Sequence, residues 1–211
     1  MKSRFLFILL VALFSITNLR ADFAIRDGDT VVFLGDSITA ARQYSKVIEN
    51  YTLLRFPERK VKFINAGRGG ETAKGSQARL EEAVFAQGAT LVTVADGVND
   101  IGWGMKADAA HKKVYLDAIA ELVERCQKRG VCVFICSAAI TAEDPDKAEK
   151  GFLQTMCDEC LAIAKSKDAG VIDVQRSMRE VNASFSPRTR KRPTNPSTQK
   201  CMPPMVTERV R

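Results

Sequence analysis

Short apolar runs and longer stretches with helical spacing alternate along the chain from residue 30 to residue 174. Thr30-Val-Val-Phe-Leu-Gly35 is apolar, β-branched and closed by a glycine, which predicts a buried strand. A helical stretch over about 40–54 follows, then a second strand over Val61-Lys-Phe-Ile-Asn65. Helical spacing returns over 72–85 and gives way to a third strand, Thr90-Leu-Val-Thr-Val-Ala95. The longest amphipathic stretch runs over 107–129, with Tyr115, Ala118, Ile119 and Leu122 on one face. Gly130 stops it and opens a fourth strand that ends at Cys136; a helix over 146–165 and a fifth strand, Val171-Ile-Asp-Val174, complete the pattern.

Strands this apolar must be covered on both faces, and their alternation with helices predicts an α/β fold with a parallel sheet between two helical layers. Right-handed crossovers leave few ways to order such strands, and 2-1-3-4-5 is the natural doubly wound choice. Ligands of such sheets bind beyond the carboxyl ends of the strands, near the point where the order reverses. The loops after strands one, two and three meet there.

The two chain ends read differently from the body. Lys2 and Arg4 precede an apolar run from Phe5 to Ile16, and a polar stretch leads to Ala21; this predicts a signal peptide over 1–21 and a secreted or periplasmic protein. The run is short for a bilayer span, so no stable membrane span is expected after cleavage. Residues 22–181 form the expected domain. Residues 182–211 are rich in Pro, Arg, Ser and Thr without apolar periodicity and predict a disordered basic tail.

The net charge of +7 resides in these ends. The leader carries Lys2, Arg4 and Arg20, and the last 31 residues carry seven basic residues against Glu208, which leaves the body at −2. A nucleic-acid partner would need its basic stripe on the fold itself, so none is expected. Among the six cysteines, Cys157 and Cys160 have the CxxC spacing, but they lie in a helical pattern without a second pair. They read as a partly buried helix face, and neither metal nor cofactor is expected.

Candidate chemistry lies in three loops. Gly35-Asp-Ser37-Ile-Thr39 follows strand one, Asn65-Ala-Gly67-Arg-Gly69-Gly70-Glu71-Thr72 follows strand two, and Gly97-Val-Asn99-Asp100 follows strand three. Asp-Ser before a helix is also an ordinary N-cap, and glycines after a strand also make ordinary turns. Their joint occurrence at three consecutive strand ends points to a site. A serine hydroxyl at a strand-to-helix turn stands exposed beside the helix's positive end. Gly70 can bring a bare N–H close, and the Asn99 amide supplies another donor. With the serine N–H these make an oxyanion hole.

The three ordered blocks resemble those of the SGNH hydrolases, also called GDSL esterases and lipases, over roughly residues 28–180. The resemblance implies a flavodoxin-like three-layer α/β/α sandwich. It implies Ser37 as nucleophile, Gly70 and Asn99 as oxyanion donors, and metal-free ester hydrolysis through an acyl-serine. For an exported member without a lid, the expected partner is a small-molecule acyl ester, such as an acetylated carbohydrate. The family's fourth element is an Asp-x-x-His pair near the C-terminus, where the His is the base.

That pair is missing after Val174. The only histidine, His111, sits early in the third long helix and reads as a solvated helix residue. Composition changes abruptly at about Val181, which suggests a change of reading frame; a shifted frame across Lys200 to Val206 permits Met-His-Ala-Ala-Asp-Gly. The expectation is therefore an impaired esterase. The alternative is a catalytically inactive acyl- or carbohydrate-binding module on the same fold.

Overall fold

A computed structural model describes residues 23–140 and 149–185. The expected leader, residues 146–148 of the expected fourth helix and the tail beyond Phe185 lie outside the described residues.

Five strands form one all-parallel sheet in the order 2-1-3-4-5, with helices on both faces. They are β1 (Thr30–Gly35), β2 (Lys62–Gly67), β3 (Leu91–Ala95), β4 (Cys132–Cys136) and β5 (Gly170–Ile172). The register places Gly35 beside both Gly67 and Ala95, so the first three strands end at one level. The loops that carry the three sequence blocks therefore start side by side.

Local chemistry shifts several expected boundaries. The first helical stretch is two helices, α1 (Ser37–Ala40) and α2 (Gln43–Arg55), separated at Arg42 in the left-handed region at φ 60°. The second is α3 (Ala73–Ala78) followed by a π-helical segment at Glu81–Phe85. The third long stretch is α4 (Ala109–Lys128), capped by Asp108, whose side chain accepts the His111 N–H. The fourth is α5 (Glu149–Ser166). β5 stops at Ile172, because the Asp173 carboxylate accepts the Arg176 N–H at 3.1 Å and starts a further helix, α6 (Val174–Phe185). The expected fifth strand had included Val174, and the expected domain boundary fell at 181, inside α6.

The two sheet faces are unequally covered. On one, α3, α4 and α5 pack against Val32, Leu34, Val92, Val94, Val133 and Ile135, with Tyr115, Leu122, Leu153 and Met156 fully buried among them. On the other, α2 covers Val31, Phe33 and Leu91, and between α2 and α6 an apolar cavity of about 400 Å3 reaches from Ile48 to Met178. Among the described residues no helix is long and apolar enough to cross a membrane.

Candidate active site

α1 begins where β1 ends. The buried Asp36 carboxylate accepts the Ile38 N–H at 2.8 Å and caps this single-turn helix, so the aspartate serves as the N-cap that its position before Ser37 suggested. Burial raises the Asp36 carboxyl above its ordinary range, opposed by the N–H groups of Ile38 and Thr39. Ser37 is then the first helical residue and is exposed.

β2 must end in a glycine for α1 to lie where it does. A Cβ at Gly67 would collide with the backbone of Thr39 and Ala40, so α1 rests directly on the strand end. Asn65 fastens the contact: its amide donates to the Thr39 carbonyl at 2.6 Å, and its Oδ1 accepts the Gly67 N–H at 3.1 Å. The Arg68 N–H then reaches the Gly35 carbonyl at 2.9 Å and ties the second loop to the first.

Gly70 turns the chain at φ 74°, a conformation strained for any side chain, and is exposed with open space where a Cβ would be. The loop beyond it is held twice. Arg79 donates to the Glu71 carboxylate at 2.6 Å and to the Ala66 carbonyl at 2.5 Å. The Asp100 carboxylate accepts the Ala73 N–H at 3.0 and 3.2 Å.

Asn99 joins the third loop to the second. Its amide donates to the Glu71 carbonyl at 2.8 Å, one residue beyond Gly70, and its Oδ1 accepts the Trp103 indole N–H at 3.2 Å. A flipped amide would lose both bonds, so its orientation is set. One amide N–H remains for a ligand, by the donor count of a primary amide. The structure thus links the Ser37 loop to the Gly70 loop and the Gly70 loop to Asn99. Ser37 itself lines neither the apolar cavity, which reaches its neighbours Asp36 and Ile38, nor a second cavity beside Asn99.

Carboxyl groups crowd beneath these loops. Asp96, at the end of β3, is 2 % exposed and faces the buried Ser76 hydroxyl. Burial, reinforced by the charges of Asp100, Asp36 and Glu71, pushes it up to about 7. Burial likewise pushes Asp100 up to about 6, against the Ala73 N–H. Sequence reasoning named neither role. The signal for Asp96 was a charged residue directly continuing an apolar strand.

His111 stands partly exposed in the first turn of α4 and carries a partner of its own. Its Nδ1 lies 2.8 Å from the Asp108 carboxylate, and the ring lines the cavity beside Asn99. Asp108-Ala-Ala-His111 has the Asp-x-x-His spacing, a match that the focus on the C-terminus missed. Cys157 and Cys160 are buried on α5, Cys160 meeting the Tyr115 hydroxyl at 3.1 Å. Burial pushes the two thiols up to about 12 and about 11, so they pack as neutral core groups.

A family profile described as GDSL-like lipase/acylhydrolase matches residues 33–196, past the expected boundary at 181. No curated protein matches the chain. Among solved structures, an acetylxylan esterase from Geobacillus stearothermophilus is 20% identical, with TM-score 0.69, covering 79% of this chain and 85% of its own. Catalytic mutants of that esterase replace a serine, an aspartate and a histidine. An α/β hydrolase from the metagenome of Lake Arreo, Spain, is 21% identical, with TM-score 0.68, covering 78% of this chain and 85% of its own. At these identities the likeness shows a shared fold.

Proposed function

The chain belongs to the GDSL-like lipase/acylhydrolase family, and from that premise we propose that it is a serine ester hydrolase acting on small acyl groups, such as acetyl esters of carbohydrates. The observation that carries this reading is the coupling of the three loops. Arg68 to Gly35 and Asn99 to Glu71 hold the exposed Ser37, the bare Gly70 turn and the fixed Asn99 amide on one edge of the sheet.

In this reading the Ser37 hydroxyl attacks the ester carbonyl and the carbonyl oxygen gathers negative charge. The Ser37 and Gly70 N–H groups and the Asn99 amide receive that charge, the alcohol leaves, and water then releases the acyl group from the serine. Fixed donors need no reorganisation as the charge develops, and each contributes roughly 3–4 kcal/mol by mutational precedent. Serine is a weak nucleophile without an adjacent base. The only histidine, His111, lines the cavity beside Asn99, which Ser37 does not line, so in this reading no base adjoins the serine and attack and deacylation are both slow. A second reading, an inactive acyl- or carbohydrate-binding module, is favoured by the absence of Ser37 from the cavity that His111 lines.

Slow deacylation makes the intermediate observable. Incubation with p-nitrophenyl acetate followed by peptide mass spectrometry should find an acetyl group on the Ser37 peptide, absent from Ser37→Ala. An unmodified Ser37 under conditions that release nitrophenol would remove the acyl-serine route and leave the binding module.

A further inference from the structure

The cavity beside Asn99, about 390 Å3, is walled by Thr72, Lys74, Asn99, Lys106, His111 and Val114. Its charges are unevenly answered. Lys112 and Lys113, one turn along α4, pair with Glu159 and Asp117. Lys74 on α3 and Lys106 in the turn before α4, which both line the cavity, make no ion pair among the described residues. Two carboxyls are near. Asp100 also reaches the wall, but its oxygens are turned to the Ala73 N–H. Asp108 lies outside the wall and is bound by the His111 ring and N–H. With Nδ1 given to Asp108, the imidazole keeps Nε2 for a ligand. Thr72, Asn99 and His111 thus offer a hydroxyl, an amide oxygen and a ring nitrogen, and Val114 adds an apolar surface.

We propose that this cavity seats an acidic sugar, its carboxylate between Lys74 and Lys106 and its hydroxyls on Thr72, Asn99 and His111, so that the ester delivered to Ser37 is carried on a uronate-containing saccharide. The proposal rests on the esterase reading for its purpose, though binding can be measured without turnover. Asn99 borders the cavity and is also the amide assigned to the carbonyl oxygen, so with its one remaining N–H kept for that oxygen its Oδ1 is left for a sugar hydroxyl. The mixture of hydroxyl, amide and imidazole groups fits a polyol carboxylate better than a bare phosphate, for which convergent backbone N–H groups would be the suited cradle.

The chain carries its own reporters: His111 is its only histidine, and Trp103, bonded to Asn99, its only tryptophan. The full chain is titrated with glucuronate, glucose and inorganic phosphate while the His111 imidazole resonances and Trp103 fluorescence are followed. Glucuronate should bind at least about fivefold more tightly than glucose, as two exposed charge contacts allow. The preference should vanish in Lys74→Ala/Lys106→Ala and in about 1 M salt, where screening acts within ~3 Å. Both lysines are exposed, so the double variant keeps the core intact. Equal affinity for glucose, no saturable shift, or phosphate binding as tightly as glucuronate would overturn the proposal. An acetylated Ser37 without uronate binding would retain the esterase and remove the subsite. Uronate binding without acetylation would do the reverse.

Discussion

Asp96 shows how a single residue can tie the site to pH. Its neutral form is the one the buried position tolerates, since burial outweighs the help of the neighbouring Ser76 hydroxyl and the charges of Asp100, Asp36 and Glu71 oppose ionisation. The folded chain therefore holds a proton on Asp96 up to about pH 7, whereas the unfolded chain releases it near 3.8. A pKa raised by folding gives stability that is present in full below the unfolded value and is lost as pH rises through the folded one. Urea unfolding should thus show stability falling from about pH 4 to pH 7. The loss attributable to Asp96 should be on the order of 2 kcal/mol, given about 1.4 kcal/mol per pKa unit and some discount for relaxation. Asp96→Asn should flatten the decline in that window, leaving the smaller contribution of Asp100, whose carboxyl sits at about 6. An unchanged slope would show that Asp96 is ionised and solvated in the folded chain.

The elements around the site depend on close backbone approaches more than on side-chain volume. α1 is one turn long, and what fixes it is the bare Gly67 below it and the Asn65 clamp beside it. Gly67→Ala should destabilise the chain by about 1–3 kcal/mol, the usual range for forcing an extra carbon into a packed place, and should slow acetylation of Ser37 by displacing α1. Equal urea midpoints for the two proteins would contradict the packing described for β2 and α1. These approaches also separate what the sequence revealed from what it concealed. Strands β1 and β3 were legible because their apolar runs are bounded by Gly35 and by the Asp96-Gly97 pair. The break at Arg42 was hidden because nothing marks it, a non-glycine residue in the left-handed region. α6 was hidden because its apolar positions, Val174, Met178 and Val181, recur at helical spacing within a basic segment whose composition resembles the tail. The loop positions of Ser37, Gly70 and Asn99 were legible, while the bonds that orient Asn99 came from residues with no motif of their own, Glu71 and Trp103.

For the whole molecule, the parallel sheet in the order 2-1-3-4-5 is what the alternation of strands and helices predicted, and two solved hydrolases share it at about one-fifth identity. That architecture brings the loops after β1, β2 and β3 to one edge of the sheet. The proposed activity depends on this arrangement of loops, and its expected weakness on the sequence having no histidine other than His111. The most direct test is the steady-state rate of p-nitrophenyl acetate hydrolysis by the chain and by Asn99→Ala. A site with its oxyanion donors but without its base retains about 10³–10⁴-fold acceleration over water, so the chain should turn over weakly but measurably. Removing the Asn99 amide should then reduce the rate by roughly 10²-fold, at the lower end for one donor. Hydrolysis at ordinary enzyme rates would contradict the account of a missing base, and a rate indifferent to Asn99→Ala would contradict the site itself.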